Sequence, residues 1–191
     1  PRIAIHLHEG NRRDIIAALL SGEVDIAVMG KPPDDADVAA DPFAPHPSVL
    51  IAPPGHRLAG QKDIPLDGLA EERFIVREEG SGTRALMENF FRGAGFTPRI
   101  ALTSSSNETI KQAVMAGMGV ALISRHTIVL ELRMGLLTVL PVQGLPLMRS
   151  WFVAWRRHMP LLPVHTQLRR FLLAEGKSLI AGIESAYRTG D

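Results

Sequence analysis

The sequence predicts an α/β fold built of two similar lobes, and three observations support this. Residues 73–124 alternate short apolar runs with amphipathic helical patterns in the order strand, helix, strand, helix, strand. Residues 1–30 repeat the later part of that stretch, because both copies open with Pro-Arg-Ile-Ala and continue through a polar turn, a helix and an apolar strand. The chain has 191 residues, 46% of them hydrophobic, which suffices for one large core or two small ones.

The second lobe contains the more complete copy of the repeat. Its first strand, at 74–76, is apolar throughout, as in a strand buried on both faces. Ser105 with Glu108 three residues later matches a capping box for the second helix. The predicted elements are strands at 74–76, 100–102 and 120–123, a helix ending at Gly93 or Gly95, and a helix ending near Gly117.

The first lobe has no counterpart to the strand and helix at 74–91. Its repeat supplies only a strand at 3–7, a helix ending at Gly22 and a strand at 24–29. We therefore expect the chain to begin inside a lobe that lacks its first strand and helix. The proline- and aspartate-rich segment 31–47 is predicted to be a surface loop before a strand at 48–52.

The remaining segments divide between the two lobes. We expect lobe I to comprise 1–54 and 151–191, and lobe II to comprise 55–150, so that the chain crosses between them twice. Further predictions are a short helix at 125–132, strands at 136–142 and 149–155, an amphipathic helix at 163–175 and a separate helix from Leu179 to Tyr187.

Composition excludes several classes of protein. The absence of cysteine rules out disulfides, thiolate metal sites and a cysteine nucleophile. A net charge of +1 without a dense basic tract disfavours nucleic-acid binding by this segment alone. No apolar run in the sequence has the length of a transmembrane helix, so no membrane contact is expected.

The turn before the first helix of lobe II is the strongest candidate for ligand binding. Gly82 lets backbone N–H groups approach a ligand, Ser81 and Thr83 add hydroxyls, and the helix dipole adds partial positive charge. The positive charge of Arg84 is unfavourable near the positive end of that dipole, and a bound anion between them would offset the repulsion. An ordinary helix start with a solvated arginine explains the same residues, and sequence alone leaves both explanations open.

Two further helix starts are weaker candidates. Capping and turn formation also explain these residues, and Lys31 after a strand could simply be exposed. The candidates are Ser104, Ser105, Ser106 and Asn107 in lobe II, and Gly10, Asn11 and Lys31 in lobe I.

The sequence gives little support for a catalytic site or a metal site. His6 and His8 share one face of a strand, but no third ligand is evident, so structural histidines are the better explanation. Ser124 and His126 belong to no recognisable nucleophile motif. We expect neither enzymatic activity nor a cofactor.

The landmarks of the chain resemble the effector-binding domain of LysR-type transcriptional regulators. EGNRRDIIAALLSGEVDIAVMG, IAPPGHRLA, SGTR and NETIKQAVMAGMGVALIS follow the order of that family. REEGSGTR and GLPLMRSWFV are similar to its Calvin-cycle (RuBisCO operon) subgroup, and the similarity extends over nearly the whole chain.

This resemblance implies a periplasmic-binding-protein type 2 fold, in which two Rossmann-like lobes are joined by two crossing strands and a small effector binds in the cleft. It also implies a cytoplasmic homodimer or homotetramer that binds DNA through an N-terminal winged helix-turn-helix, which this sequence does not contain. The Calvin-cycle subgroup responds to phosphorylated metabolites, so a small anionic effector is expected. A solute-binding protein of a transporter shares the fold and is the alternative, followed by an enzyme.

Overall fold

The structure is a computed structural model that describes residues 4–186; Ile3 and Tyr187, which the sequence assigns to a strand and a helix, lie outside that range. The helices are α1 (Arg12–Ser21), α2 (Gly82–Gly93), α3 (Asn107–Met115), α4 (Val129–Arg133) and α5 (Pro163–Ala186), with short 3-10 helices at Leu66–Leu69 and Arg125–Ile128. The strands are β1 (Ala27–Met29), β2 (Val38–Pro45), β3 (Ser48–Ala52), β4 (Arg73–Arg77), β5 (Arg99–Ser104), β6 (Ala121–Ser124), β7 (Thr138–Leu140) and β8 (Ser150–Arg156).

Lobe I is a small antiparallel sheet in the order β1-β8-β2, covered on one face by α1. Leu19 of α1 is fully buried against Met29 of β1 and Val38 of β2. This contact arises because the apolar pairs of α1 recur at helical spacing and form one face.

Lobe II contains most of the core. β4 pairs with β5 in parallel, and Phe74 of β4 forms a parallel bridge to Val120, next to the antiparallel group β6-β3-β7. Phe74 packs on the side of α2 and its neighbour Ile75 on the side of α3, so alternate residues are buried on opposite faces. The apolar run predicted at 74–76 is therefore confirmed as a strand covered by helices on both faces.

Two antiparallel segments join the lobes. The backbone N–H of His46 donates to the carbonyl of Arg149 at 2.7 Å, and Ser48 and Leu147 exchange hydrogen bonds of 3.0 and 2.9 Å. These are the two crossing strands that the resemblance implies. β3 pairs with β6 and β7 and not with the lobe I sheet, although the predicted lobe boundary lies later, at residue 54. We propose that lobe II begins near Pro47.

The first predicted strand is wrong over its described part. Residues 4–10 form no strand, and Ile5 and Leu7 are 86% and 83% exposed. An alternating run forms a strand only where a neighbour supplies hydrogen bonds, and no described strand lies beside it. The next strand is also shorter than expected, at Ala27–Met29, and it pairs with β8. A lobe without its first strand and helix stays a prediction.

Three other local predictions are corrected. The segment 31–47 contains β2, an edge strand whose Pro42 lies next to a register shift, where a missing N–H is tolerated. α5 continues through Gly176, because that glycine lets the helix approach the ring of Phe43 and does not end it. Ser106, not Ser105, caps α3, with its Oγ accepting from the N–H of Thr109 at 3.2 Å. Glu108 contacts Lys111 and Gln112 instead of closing a capping box.

Candidate ligand-binding cleft

The walls of the cleft are the N-terminal ends of α1 in lobe I and α2 in lobe II. The N–H of Arg13 donates to the carbonyl of Gly80 at 3.3 Å, which brings the two helix starts together. Gly80 has a φ of 88°, and a Cβ there would lie 3.2 Å from both Arg13 and Asn11. A side chain at position 80 would therefore be strained and would push the walls apart.

The predicted turn residues lie at the start of α2, and the side chains of Ser81 and Arg84 have partners within lobe II. Ser81 is 3% exposed and caps α2, its Oγ accepting from the N–H of Thr83 at 3.3 Å. Arg84 pairs with Glu88 one turn later, and its Nη1 donates to the carbonyl of Arg77 at 3.2 Å. A carboxylate of the same helix thus pairs with Arg84, and a bound anion at this turn stays a prediction.

A second polar network is formed around Arg77 and Glu78, which precede that turn in the chain. Arg77 donates to Asn107 Oδ1 at 2.9 Å and pairs with Glu78 at 2.8 Å. Burial alone would raise the pKa of Glu78, but the hydrogen bond and charge of Arg77, with help from Asn11 of α1, hold it below its usual value. Glu78 thus links lobe II to the start of α1.

The other predicted residues are used mainly in local structure. Ser104 Oγ accepts from the N–H of Ser106 at 3.1 Å, and Ser105 is exposed. Asn11 caps α1 through the N–H of Asp14 at 3.1 Å, and the neighbouring Gly10 is exposed. Lys31 pairs with Asp34 at 2.7 Å on the surface of lobe I.

The floor of the cleft contains polar side chains that the sequence analysis does not include among the site residues. His46 opposes Arg149 across the crossing segments, and Ser48 opposes Ser124 in the pairing of β3 with β6. Their exposed fractions are 5% for His46, 0% for Ser48 and 7% for Ser124. Hydrogen-bond partners are lacking for both ring nitrogens of His46, Oγ of Ser48 and Ser124, and Nε of Arg149. Unsatisfied buried polar atoms are uncommon in folded proteins, so this group is the best candidate for contacts with water or a ligand.

Arg149 joins the floor to both walls. Its Nη1 donates to the carbonyl of Gly82 at 3.2 Å, and the same atom lies 3.7 Å from where a Cβ of Gly30 in lobe I would be. Burial, and then the positive charge of Arg12, lower the pKa of Arg149, although such a group stays charged at neutral pH. A half-buried cation beside a second cation favours an anionic ligand.

His46 is held in place by stacking. Its ring lies 3.8 Å from the ring of Trp151, with an interplanar angle of 13°, and Trp151 Nε1 donates to His126 Nδ1 at 3.2 Å. Burial, followed by the charges of Arg149 and His126, lowers the pKa of His46 to about 3. The imidazole is therefore neutral at physiological pH and offers one N–H donor and one acceptor.

One signal could have identified the floor from sequence. Arg149 lies at the second predicted crossing between lobes, and His46 and Ser48 lie shortly before the first, which was predicted after residue 54. Crossing segments border the cleft on both sides, so polar residues there face it.

His6 and His8, near the start of the chain, belong to no group of metal-ligating side chains among the described residues. His8 pairs with Glu23 at 3.2 Å. Among the described side chains, those of residues 4–183, no group of three or more His, Asp or Glu residues is arranged to hold a metal ion. In the same range, no helix combines the length and apolar character needed to span a bilayer.

Two lobes, two crossing segments and a cationic, partly unsatisfied floor define a small-molecule-binding domain of the periplasmic-binding-protein type 2 class. The family model described as the LysR substrate binding domain matches residues 1–177. The chain belongs to this family, so the resemblance inferred from sequence is confirmed.

The curated relatives are transcriptional regulators. The regulator CbbR of Rhizobium meliloti is 44% identical over 98% of this chain and 60% of its own length. CfxR of Cupriavidus necator is 45% identical over 91% of this chain and 55% of its own length. The chain thus spans little more than half the length of these relatives. Their names agree with the Calvin-cycle subgroup and do not favour a transporter protein.

Solved structures agree with the fold. The CcmR regulatory domain of Synechocystis, in complex with 2-PG, has a TM-score of 0.82 and 36% identity, covering 86% of this chain and 79% of that one. The effector-binding domain of QuiR with shikimate has a TM-score of 0.78 at 21% identity, covering 88% and 79%.

Proposed function

We propose that this chain is the effector-sensing part of a LysR-type regulator and that it binds a small phosphorylated metabolite in the cleft. The observation that supports this most directly is the buried, unpartnered Nε of Arg149, beside unpartnered hydroxyls of Ser48 and Ser124. A phosphate supplies the negative charge and several acceptor oxygens that such a set of groups needs.

The relatives support the type of effector. The CcmR domain, which is similar to this chain over most of its length, was solved with 2-PG, that is, 2-phosphoglycolate. Relatives named CbbR, CfxR and RuBisCO operon regulator suggest that the genes controlled are those of carbon dioxide fixation. We use 2-phosphoglycolate as the probe ligand because it combines a phosphate with a carboxylate.

We propose that the anion contacts the floor and the adjacent walls. Ser81, Gly82 and Thr83 would offer the start of α2, and Arg84, already paired with Glu88, would act at longer range. The remaining candidates from sequence would line the rim, contributing less because most of them have local partners. These are Gly10, Asn11, Lys31, Ser104, Ser105, Ser106 and Asn107.

The wider role follows from the family and is proposed with it. A winged helix-turn-helix outside these residues would bind DNA, in a cytoplasmic homodimer or homotetramer. No catalysis is expected, because the relatives are regulators and the cleft floor presents no nucleophile activated by a base.

A thermal-shift titration tests the proposal. We expect 2-phosphoglycolate to raise the melting temperature of the chain in a saturable manner, because a ligand that binds only the folded state stabilises it. Glycolate, which lacks the phosphate, is the matched control and should give a much smaller shift. Equal shifts, or none with 2-phosphoglycolate, would contradict the proposal.

A further inference from the structure

His46 contains the least satisfied polar group in the cleft floor. Both of its ring nitrogens lack a partner in a residue that is 5% exposed. Its main chain is fixed by the 2.7 Å hydrogen bond to the carbonyl of Arg149, and its ring by the stack on Trp151. The ring is thus held rigidly with its polar atoms unused.

The charges around the ring are all basic. Arg149, which precedes β8, and His126, which follows β6, face His46, and Arg12 of α1 adds a positive charge beside Arg149. In the ligand-free domain these groups and burial keep the imidazole neutral. A phosphate dianion at Arg149 would bring two negative charges close to this basic group, against one for a carboxylate, and would therefore favour the protonated form of His46 more strongly.

We propose that His46 takes up a proton from solvent when a phosphorylated ligand binds at Arg149, and that it thereby gives the cleft its preference for dianions over monoanions. The inference rests on the proposed function, since it concerns the same site. The imidazolium would donate an N–H hydrogen bond to a phosphate oxygen. Stacking on Trp151 already holds the plane of the ring. A carboxylate brings a single negative charge, so it gains less from protonated His46.

Isothermal titration calorimetry in buffers of different ionisation enthalpy measures the protons taken up for each ligand bound. The phosphate of 2-phosphoglycolate itself titrates near pH 6. His46→Gln is therefore the reference, because it retains a hydrogen-bonding side chain and cannot take up a proton in this range. At pH 6.5 we expect the wild-type chain to take up roughly half a proton more than His46→Gln. Its affinity should also fall about twofold more than that of the variant between pH 6.5 and pH 8.

The possible results separate this inference from the proposed function. Equal proton uptake by wild type and His46→Gln would overturn it, and loss of uptake in His126→Gln alone would assign the proton to the neighbouring histidine instead. If 2-phosphoglycolate bound but the wild-type chain and His46→Gln took up the same number of protons, the role of His46 would be overturned and the effector site would stand. Absence of binding by a folded wild-type chain would overturn both.

Discussion

At the scale of single residues, the cleft depends on polar atoms that the fold leaves without partners. Gly30 and Gly82 leave space around the guanidinium of Arg149, and Gly80 lets the two helix starts meet. The residues with the clearest sequence signal, Ser81 and Arg84, have partners in their own helix. Ser81 and Arg84 thus serve local structure, whereas the unpartnered polar atoms lie on the crossing segments, β3 and β6.

His46 gives a prediction about stability and pH. Its folded-state pKa of about 3 lies below the ordinary value of 6.5, so the unfolded chain binds more protons between these values and stability rises with pH there. We expect the free energy of unfolding to fall by about 2 kcal/mol between pH 7 and pH 5, mostly below pH 6.5. Urea denaturation at each pH measures this.

The control for that experiment is His46→Gln, which should show a much flatter dependence over the same range. Glu78 does not interfere, since a carboxyl with an unfolded pKa of 4.5 loses its contribution only at more acidic pH. An identical slope in wild type and variant would show that His46 is not buried in its neutral form.

At the scale of elements, the junction between α3 and β6 is set by a close approach of main chains. A Cβ on Gly119 would lie 2.2 Å from the carbonyl oxygen of Arg73, which itself accepts from the N–H of Val120 at 2.8 Å. Neither backbone can move without breaking the parallel contact between β4 and β6.

Gly119→Ala is therefore expected to destabilise the domain by about 3 kcal/mol, through overpacking against the main chain. Gly93→Ala at the end of α2 is the matched control, because nothing lies within 4 Å of its added methyl group. That variant should be neutral or more stable by up to about 1 kcal/mol. Chemical denaturation compares the two, and equal effects would contradict this account of the junction.

Elements with strong local signals were predictable. The buried strands of lobe II follow from uninterrupted apolar runs, and α2 follows from apolar pairs behind a capping serine. β2 was missed because Pro42 and Pro45 disfavour a strand, and only its pairing with β8, far away in sequence, makes one. His46 and Arg149 were missed for a related reason: the register of the crossing segments, which places them opposite each other, is a tertiary property.

At the scale of the whole molecule, the lobes meet at two levels. The Arg13 to Gly80 hydrogen bond joins the upper walls, and Arg149 joins the floor to Gly82. A ligand at Arg149 would therefore contact groups from both lobes and change how firmly they close. Such a change in closure is a means by which a bound effector could alter the assembly.

Assembly gives a further prediction. Leu20 of α1 and Ile100 of β5 are 45% and 48% exposed, and within residues 4–186 the strand β5 pairs only with β4. We expect two chains to pair antiparallel, with the α1 side of one against β5 and α3 of the other around a two-fold axis. Ile100→Glu should weaken the dimer by ~10-fold or more, because it places a charge in an apolar interface.

Sedimentation velocity over a range of concentrations measures that change. Leu130→Glu on α4 is the matched control, since Leu130 is 50% exposed and lies outside the proposed interface. A wild-type chain that stays monomeric at high concentration, or a dimer that Ile100→Glu does not affect, would contradict the proposed pairing.

The central claim is that Arg149, in the cleft floor, binds the phosphate of the effector, and calorimetry with 2-phosphoglycolate tests it most directly. We expect Arg149→Gln to weaken binding by about 1.5 to 3 kcal/mol, the usual loss for a charge-assisted hydrogen bond. Arg84→Gln, which removes a cation already paired with Glu88, should cost less than about 1 kcal/mol. If a folded Arg149→Gln variant bound 2-phosphoglycolate as tightly as the wild-type chain, the phosphate would not lie at the cleft floor.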